Sequence, residues 1–378
     1  MENFIEEVFF GDDEIIPAVI NEVIDLAQPP QNIIPEERQQ VTRNEQYYEY
    51  TIPRYTNDDF REHFRMSRVT FERLFNCIRA VHHIEDRLVP LEKKLLFTVW
   101  VISKPESFLA AGDRFGLAKS SAHKIFYQIV DELGQITNQY IRWPNMQKIQ
   151  QTANVFELRS RGIPGVVGAI DGCHIPIKQP VRNANDFYNR KGFHSIILQG
   201  VCDENGVFID VNIGRPGRMH DARVFRLSEI YEYLTRENSI LPANLHLIAD
   251  SAYPLLLNLM KPFQDNGHLP EEHVVYNTKL SSIRSTIERA FGLLKCKFRR
   301  LKYLDVNNSQ IASRIVLAAC VLHNFILLQG NAALDEYDIV NAAPNENMIE
   351  GVHENDLLVN DASNKRREIV QICNRENN

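Results

Sequence analysis

The sequence predicts a mixed α/β domain preceded by an all-α region, and three observations predict it. Apolar residues recur at helical spacing from Phe60 towards Trp143, short β-rich runs with a hairpin turn follow from Gly165, and a long helical stripe begins at Ser281.

The chain has 378 residues, 44% apolar and 24% charged, enough for a sizeable core and roughly two or three domains. No uninterrupted apolar run is long enough to span a bilayer, since the longest, Ile315 to Leu328, contains His323 and Asn324. We therefore expect no membrane span. The acidic start, with Glu2, Glu6, Glu7, Asp12 and Asp13, does not read as a secretory signal, and an intracellular protein is expected. Six cysteines without a Cys-x-x-Cys pair argue against a disulfide framework or a structural zinc site, and they read as free, mostly buried thiols. The net charge of −7 divides unevenly: residues 1–40 carry −9, residues 331–378 carry −6, and the middle carries +8. A basic middle between acidic ends suits a polyanionic partner, although a modest surplus beside two solvated tails gives the same numbers.

Four segments follow from the texture: an acidic, loosely ordered tail over 1–45, a helical region over 46–150, an α/β domain over 151–330 and an acidic tail over 331–378. In the helical region, Phe64, Phe71, Leu74, Phe75 and Ile78 share a face behind a capping Ser67, and Leu91–Ile102 forms a second helix. Ser107–Leu133 divides into a short helix, a turn centred on Gly116 and a longer helix opening at Ser120 or Ser121 with His123 and Lys124 near its start. That is the layout of a DNA-contacting helix-turn-helix and equally of an ordinary packed helix pair.

Beyond Trp143 and Pro144, the apolar run from Gly165 ends at Asp171-Gly172. Ser195–Cys202 and Val207–Ile213 form a hairpin across Asp203–Gly206, Ala222–Leu234 reads as a helix, Leu245–Ala249 as a strand ending in Asp250, and Val274–Tyr276 as a fifth strand. The helix from Ser281 aligns Ile283, Ile287, Phe291, Leu294 and Phe298. This order matches the sheet of an RNase H-like domain.

The chemistry lies in the carboxylates. Asp171 and Asp250 each end an apolar strand and precede a small residue, where a desolvated carboxylate needs a cation or a proton; a turn role explains either one taken singly. Asp221, in GRPGRMHDARVF, reads as a helix cap or as a third oxygen ligand. Glu288 pairs with Arg284 on the helix surface or, alternatively, is laid over the strand ends, with Lys295, Lys297, Arg299, Arg300 and Lys302 following as a phosphate-binding stretch. An all-oxygen donor set suits Mg²⁺ or Mn²⁺, and two such ions about 4 Å apart can drive an in-line phosphodiester displacement.

At this point the motifs GAIDGCHIPI, FYNRKGFHSIILQGVCD, GRPGRMHDARVF, IADSAYPL, IERAFGLLKCKFRRL and CVLHNF resemble, in order, those of the PIF/Harbinger transposases and the DDE endonucleases derived from them. The resemblance covers residues 60–330. It implies an RNase H-like fold, a divalent metal held by Asp171, Asp221, Asp250 and Glu288, catalysis by Asp171, Asp250 and Glu288, and DNA as substrate. It also implies work in the nucleus, with the cytoplasm a second location, and a Myb/SANT-like DNA-binding partner; Tyr188, Asn189, Arg190, Lys191 and His194 would lie near the active site or the DNA. Homo-oligomerisation is left open. The alternative is a catalytically silent domesticated transposase that binds DNA or protein; a phosphatase on an α/β fold is disfavoured by the helix-turn-helix-like segment and the basic run.

Overall fold

A computed structural model describes residues 46–83, 88–237, 239–330 and 356–375. The expected tail over 1–45, and residues 331–355 of the C-terminal one, lie outside the described residues. Between Asn57 and Ser160 the chain builds six helices of seven residues or more: α1 (Asn57–Phe64), α2 (Arg68–Val81), α3 (Leu91–Ser103), α4 (Phe108–Arg114), α5 (Lys119–Gln135) and α6 (Met146–Ser160). Side-chain caps set four of their starts, at Thr56, Ser67, Ser107 and Asn145. The α4–α5 pair turns at Gly116, whose φ of +67° favours glycine, and packs tightly at Gly112, where a Cβ would come within 2.9 Å of the Leu117 carbonyl oxygen. Ala122, Phe126, Ile129 and Leu133 bury the inner face of α5, while Lys119, Ser120, Ser121 and Lys124 remain exposed at its start.

The sheet has five strands, β1 (Val166–Pro176), β2 (Ser195–Cys202), β3 (Phe208–Pro216), β4 (His246–Ile248) and β5 (Leu259–Met260), in the order β3-β2-β1-β4-β5. β2 runs antiparallel to its neighbours β1 and β3, whereas β4 runs parallel to β1 and β5 to β4. This mixed α/β arrangement is consistent with an RNase H-like domain. The hairpin turn forms as expected, with Asp203 accepting from the amides of Asn205 and Val207, and Glu204 ties it to α6 through Lys148 and Thr152.

Four expectations need correction. β1 does not stop at Asp171, because its antiparallel ladder with β2 continues to Pro176; what ends near Asp171 is the pairing with β4, last seen at Ala169 and Ile248. The segment Ala222–Leu234 is two helices, α7 (Asp221–Arg226) and α8 (Glu229–Thr235), separated where Ser228 caps the second. Val274–Tyr276 is no strand: it lies in α9 (Glu271–Lys297), which starts ten residues before Ser281, and its β-branched pair is overridden by the burial of Tyr276. The fifth strand is Leu259–Met260 instead.

α9 and α10 (Ser309–Leu328) supply much of the core on one side of the sheet, where Ala169, Cys173, Ile175 and Leu198 meet Ile287, Phe291, Leu294 and Phe325. A second cluster, with Ile170, Val201, Phe225 and Tyr253, covers the other side. By length and composition α10 could cross a membrane, but most of it is buried inside this fold against α5 and β3, and that burial accounts for its apolar sequence. Within the acidic C-terminal stretch, Asp356–Arg375 forms a further helix, α11, that packs on α9 through Ile369, Val370 and Cys373. All six cysteines are free, five of them buried.

Candidate active site

The two strand-borne aspartates come together because β1 and β4 are parallel neighbours. Two residues beyond the paired Ala169 and Ile248 stand Asp171, still within β1, and Asp250, just past the end of β4, close enough for their charges to interact. Asp171 is fully buried and Asp250 is 8% exposed. Asp250 does also serve as a turn residue, accepting the Ala252 amide at 3.0 Å. Asp221 arrives from a third element as the first residue of α7; the cap position belongs to His220, so the carboxylate is left for other contacts. Its Oδ1 presses against the β1 backbone at Gly172, where a Cβ would come within 2.3 Å of it. We expect Gly172→Ala to displace Asp221 and cut activity at least tenfold while the protein stays folded. Steady-state rates beside a melting curve check this, and wild-type rates would contradict it.

Burial pushes the Asp171 carboxyl well above the usual range, and the neighbouring charges of Asp250 and Asp221 add to the effect. The Asp221 carboxyl is pushed up to about 6 by burial and by Asp250, with Arg190 opposing. A raised carboxyl pKa favours folding while protonated, so the contribution of Asp221 is fully present below about pH 4 and is lost as pH rises through about 6. Ion-free protein should therefore lose on the order of 3 kcal/mol from this group across that window. Urea unfolding at a series of pH values, with and without a divalent ion, checks the sign; stability that climbs between pH 4 and 7 would contradict it.

Glu288 reaches this place from α9. It forms the helical pair with Arg284 at 2.6 Å, as its spacing allows, but the same guanidinium also stands 3.5 Å from Asp171 Oδ2. All four predicted acids are thus linked, three by mutual repulsion and the fourth through Arg284. Among the described residues no three Asp, Glu, His or Cys side chains stand close enough together to form a ready-made ion cage.

Sequence reasoning missed Tyr253 and Gln199. Tyr253 is fully buried, its hydroxyl accepts from Gln199 Nε2 at 3.3 Å, and burial next to Asp221, Asp171 and Asp250 holds its phenol in the protonated form. Its position three residues past Asp250 was the available signal. In the FYNRKGFH loop, Asn189 is the internal brace: Oδ1 accepts from the amides of Lys191 and Phe193, and Nδ2 donates to Ser195 Oγ. Ser195 Oγ in turn hydrogen-bonds Nδ1 of His174 at 2.9 Å, and the pKa of that imidazole falls to about 4 through burial and the nearby Lys295 and Lys191, so it stays neutral. Arg190 reaches the His220 ring at 2.9 Å, beside Asp221, whereas Tyr188 and His194 pack edge to face and Lys191 is exposed.

The basic stretch after Glu288 is not a row of free cations. Lys295 donates to the His174 carbonyl, Lys297 is buried, and Arg300 donates to the carbonyls of Val101 and Glu106 inside the fold; Arg299 and Lys302 alone of the five are exposed. The reason is geometric: α9 ends at Lys297 and the chain turns back through a 3₁₀ turn over Arg299–Lys302, which sends successive cations in different directions.

The chain is similar to known proteins over the segment that carries this site. Residues 170–324, which contain all four acids, match the family model of the DDE superfamily endonucleases. The human protein named "Putative nuclease HARBI1" is 29% identical over 74% of this chain and 82% of its own, and its rat counterpart is 27% identical over 85% and 93%. An Arabidopsis thaliana protein named "Antagonist of Like Heterochromatin Protein 1" is 27% identical over 73% of this chain and 75% of its own. No solved structure gives a significant match.

Proposed function

We propose, from the match of residues 170–324 to the DDE superfamily endonucleases and the similarity to the proteins named "Putative nuclease HARBI1", that the chain is a metal-dependent DNA endonuclease of the Harbinger transposase-derived type in which Asp171, Asp250 and Glu288 are catalytic and, with Asp221, hold the metal. The observation that carries this reading is the convergence of Asp171, Asp221 and Asp250, from three separate elements, in surroundings that raise the proton affinity of Asp171 and Asp221. Buried carboxylates that repel one another are costly to fold together, and a divalent cation offsets that cost. The donor set fits such an ion: it consists of oxygens alone, which suits Mg²⁺ or Mn²⁺ and disfavours zinc.

Asp171, Asp221, Asp250 and Glu288 would hold the ions, and these would supply Lewis-acid chemistry for hydrolysis of the phosphodiester, in the two-metal manner that paired carboxylates support. The chain's own groups orient and shield. β1 carries Asp171 and the turn after β4 carries Asp250, Gly172 gives Asp221 room to approach, α9 brings Glu288, and the buried Tyr253 and Gln199 hydrogen-bond beside them. A DNA substrate supports a nuclear location, with the cytoplasm as a second one. The exposed start of α5 offers a second contact to the duplex, and a Myb/SANT-like partner would supply sequence recognition.

Calorimetric titration of Mn²⁺ into wild type and into Asp171→Asn, Asp250→Asn and Glu288→Gln tests the proposal. We expect binding by wild type and a loss on the order of 100-fold in each variant. Absence of binding by wild type would favour the silent DNA- or protein-binding alternative.

A further inference from the structure

Arg284 occupies a place that a surface helix pair does not explain. An exposed i,i+4 pair between Arg284 and Glu288 would be worth a few tenths of a kcal/mol and would leave the guanidinium in solvent. Here the side chain is only 20% exposed, and its second nitrogen faces Asp171, a fully buried residue in the middle of β1. One guanidinium therefore bridges two acids carried by different elements, with Nη2 at 2.6 Å from Glu288 Oε1 and Nη1 at 3.5 Å from Asp171 Oδ2. Fork-shaped and permanently charged, it is the side chain best suited to hold two carboxylates at once.

A divalent ion held by Asp171 and Glu288 would compete with the guanidinium for the same two carboxylates. Two cations beside the same pair of carboxylates would repel each other, the more so for the fully buried Asp171. The carboxylates are fixed on a sheet strand and a long helix, whereas the arginine hangs on a flexible stem. Resting on the proposed metal-binding reading, we infer that Arg284 is a built-in counter-ion: it holds Asp171 and Glu288 together in the ion-free chain and is displaced when the ion binds. Two consequences follow. The site stays assembled without metal, and its affinity for metal is set below what the carboxylates alone would give, because each binding event must expel the guanidinium.

The test is calorimetric titration of Mn²⁺ into full-length wild type, Arg284→Gln and Arg284→Lys, together with the rise in melting temperature that saturating Mn²⁺ produces in each. We expect Arg284→Gln to bind Mn²⁺ about tenfold more tightly than wild type, to melt lower than wild type when ion-free, and to gain more from the ion. Arg284→Lys keeps the charge and should bind within about threefold of wild type. Equal or weaker binding by Arg284→Gln would overturn the inference, as would a lysine variant that binds as tightly as the glutamine one. Nicking of supercoiled DNA by the same samples separates this from the nuclease reading: tighter ion binding without nicking in any sample supports the counter-ion and removes the nuclease.

Discussion

Asp171→Asn should abolish DNA cleavage and, at pH 7 without metal, make the protein more stable. The two effects share one cause. Whether the native carboxyl takes up a proton or keeps its charge beside Asp250 and Asp221, folding it into the sheet at neutral pH costs free energy relative to an exposed carboxylate. Asparagine has the same shape and no charge, so that cost disappears, while Arg284 retains Glu288 as a partner. Activity should fall by a factor on the order of 10³ or more, as expected when a residue at the reacting centre is removed. The melting temperature should rise by a few degrees. Paired nicking and melting measurements check both halves, and a variant that melts well below wild type would show Asp171 to be a structural residue instead.

The second large effect is expected far from any chemistry. Asn324, in the CVLHNF motif, is fully buried in α10: its Oδ1 accepts the Phe208 amide at 2.9 Å, and its Nδ2 donates to the carbonyls of Phe208 and Tyr140 at 2.7 and 2.9 Å. One side chain thus satisfies both backbone groups at the start of β3 and ties them to the helical region. Next to it, His323 meets the Gly206 carbonyl at the hairpin turn, and burial lowers its pKa to about 4, which keeps it a neutral brace. Asn324→Ala removes all three hydrogen bonds, two of them to the buried backbone of Phe208, and should cost about 3 kcal/mol or more. Urea unfolding would show this as a lower midpoint with an unchanged slope; a loss under about 1 kcal/mol would mean that water or a shifted chain replaces the side chain.

How far the fold and the site could be read in advance depended on whether the signal was local. The α2 cap at Ser67, the Gly116 turn and the 203–206 hairpin were legible because capping and turn chemistry act within a few residues. Asp171 and Asp250 stood out as acids at the ends of apolar runs. In Asp171's case the cue was real but misassigned, since it marks where β1 loses β4 as a neighbour, and the strand itself goes on. β5 was invisible because two residues carry no period, and Val274-Val275-Tyr276 mimicked a strand inside α9. The true start of that helix was signalled by Pro270 followed by Glu271 and Glu272, a helix-opening pattern. Tyr253, the inward turn of Arg300 and the reach of Arg284 to Asp171 depend on contacts between distant segments, and no local pattern contains them.

Nicking of supercoiled DNA by purified wild-type protein in Mn²⁺, with Asp250→Asn and a chelator-treated sample run beside it, tests most directly whether these carboxylates cut DNA with the help of a divalent ion. Relaxed plasmid with wild type alone, abolished by the substitution and by the chelator, is the result expected. Plasmid left intact by wild type in Mn²⁺, even with a Myb/SANT-like partner added, or nicking that survives in Asp250→Asn, would contradict it.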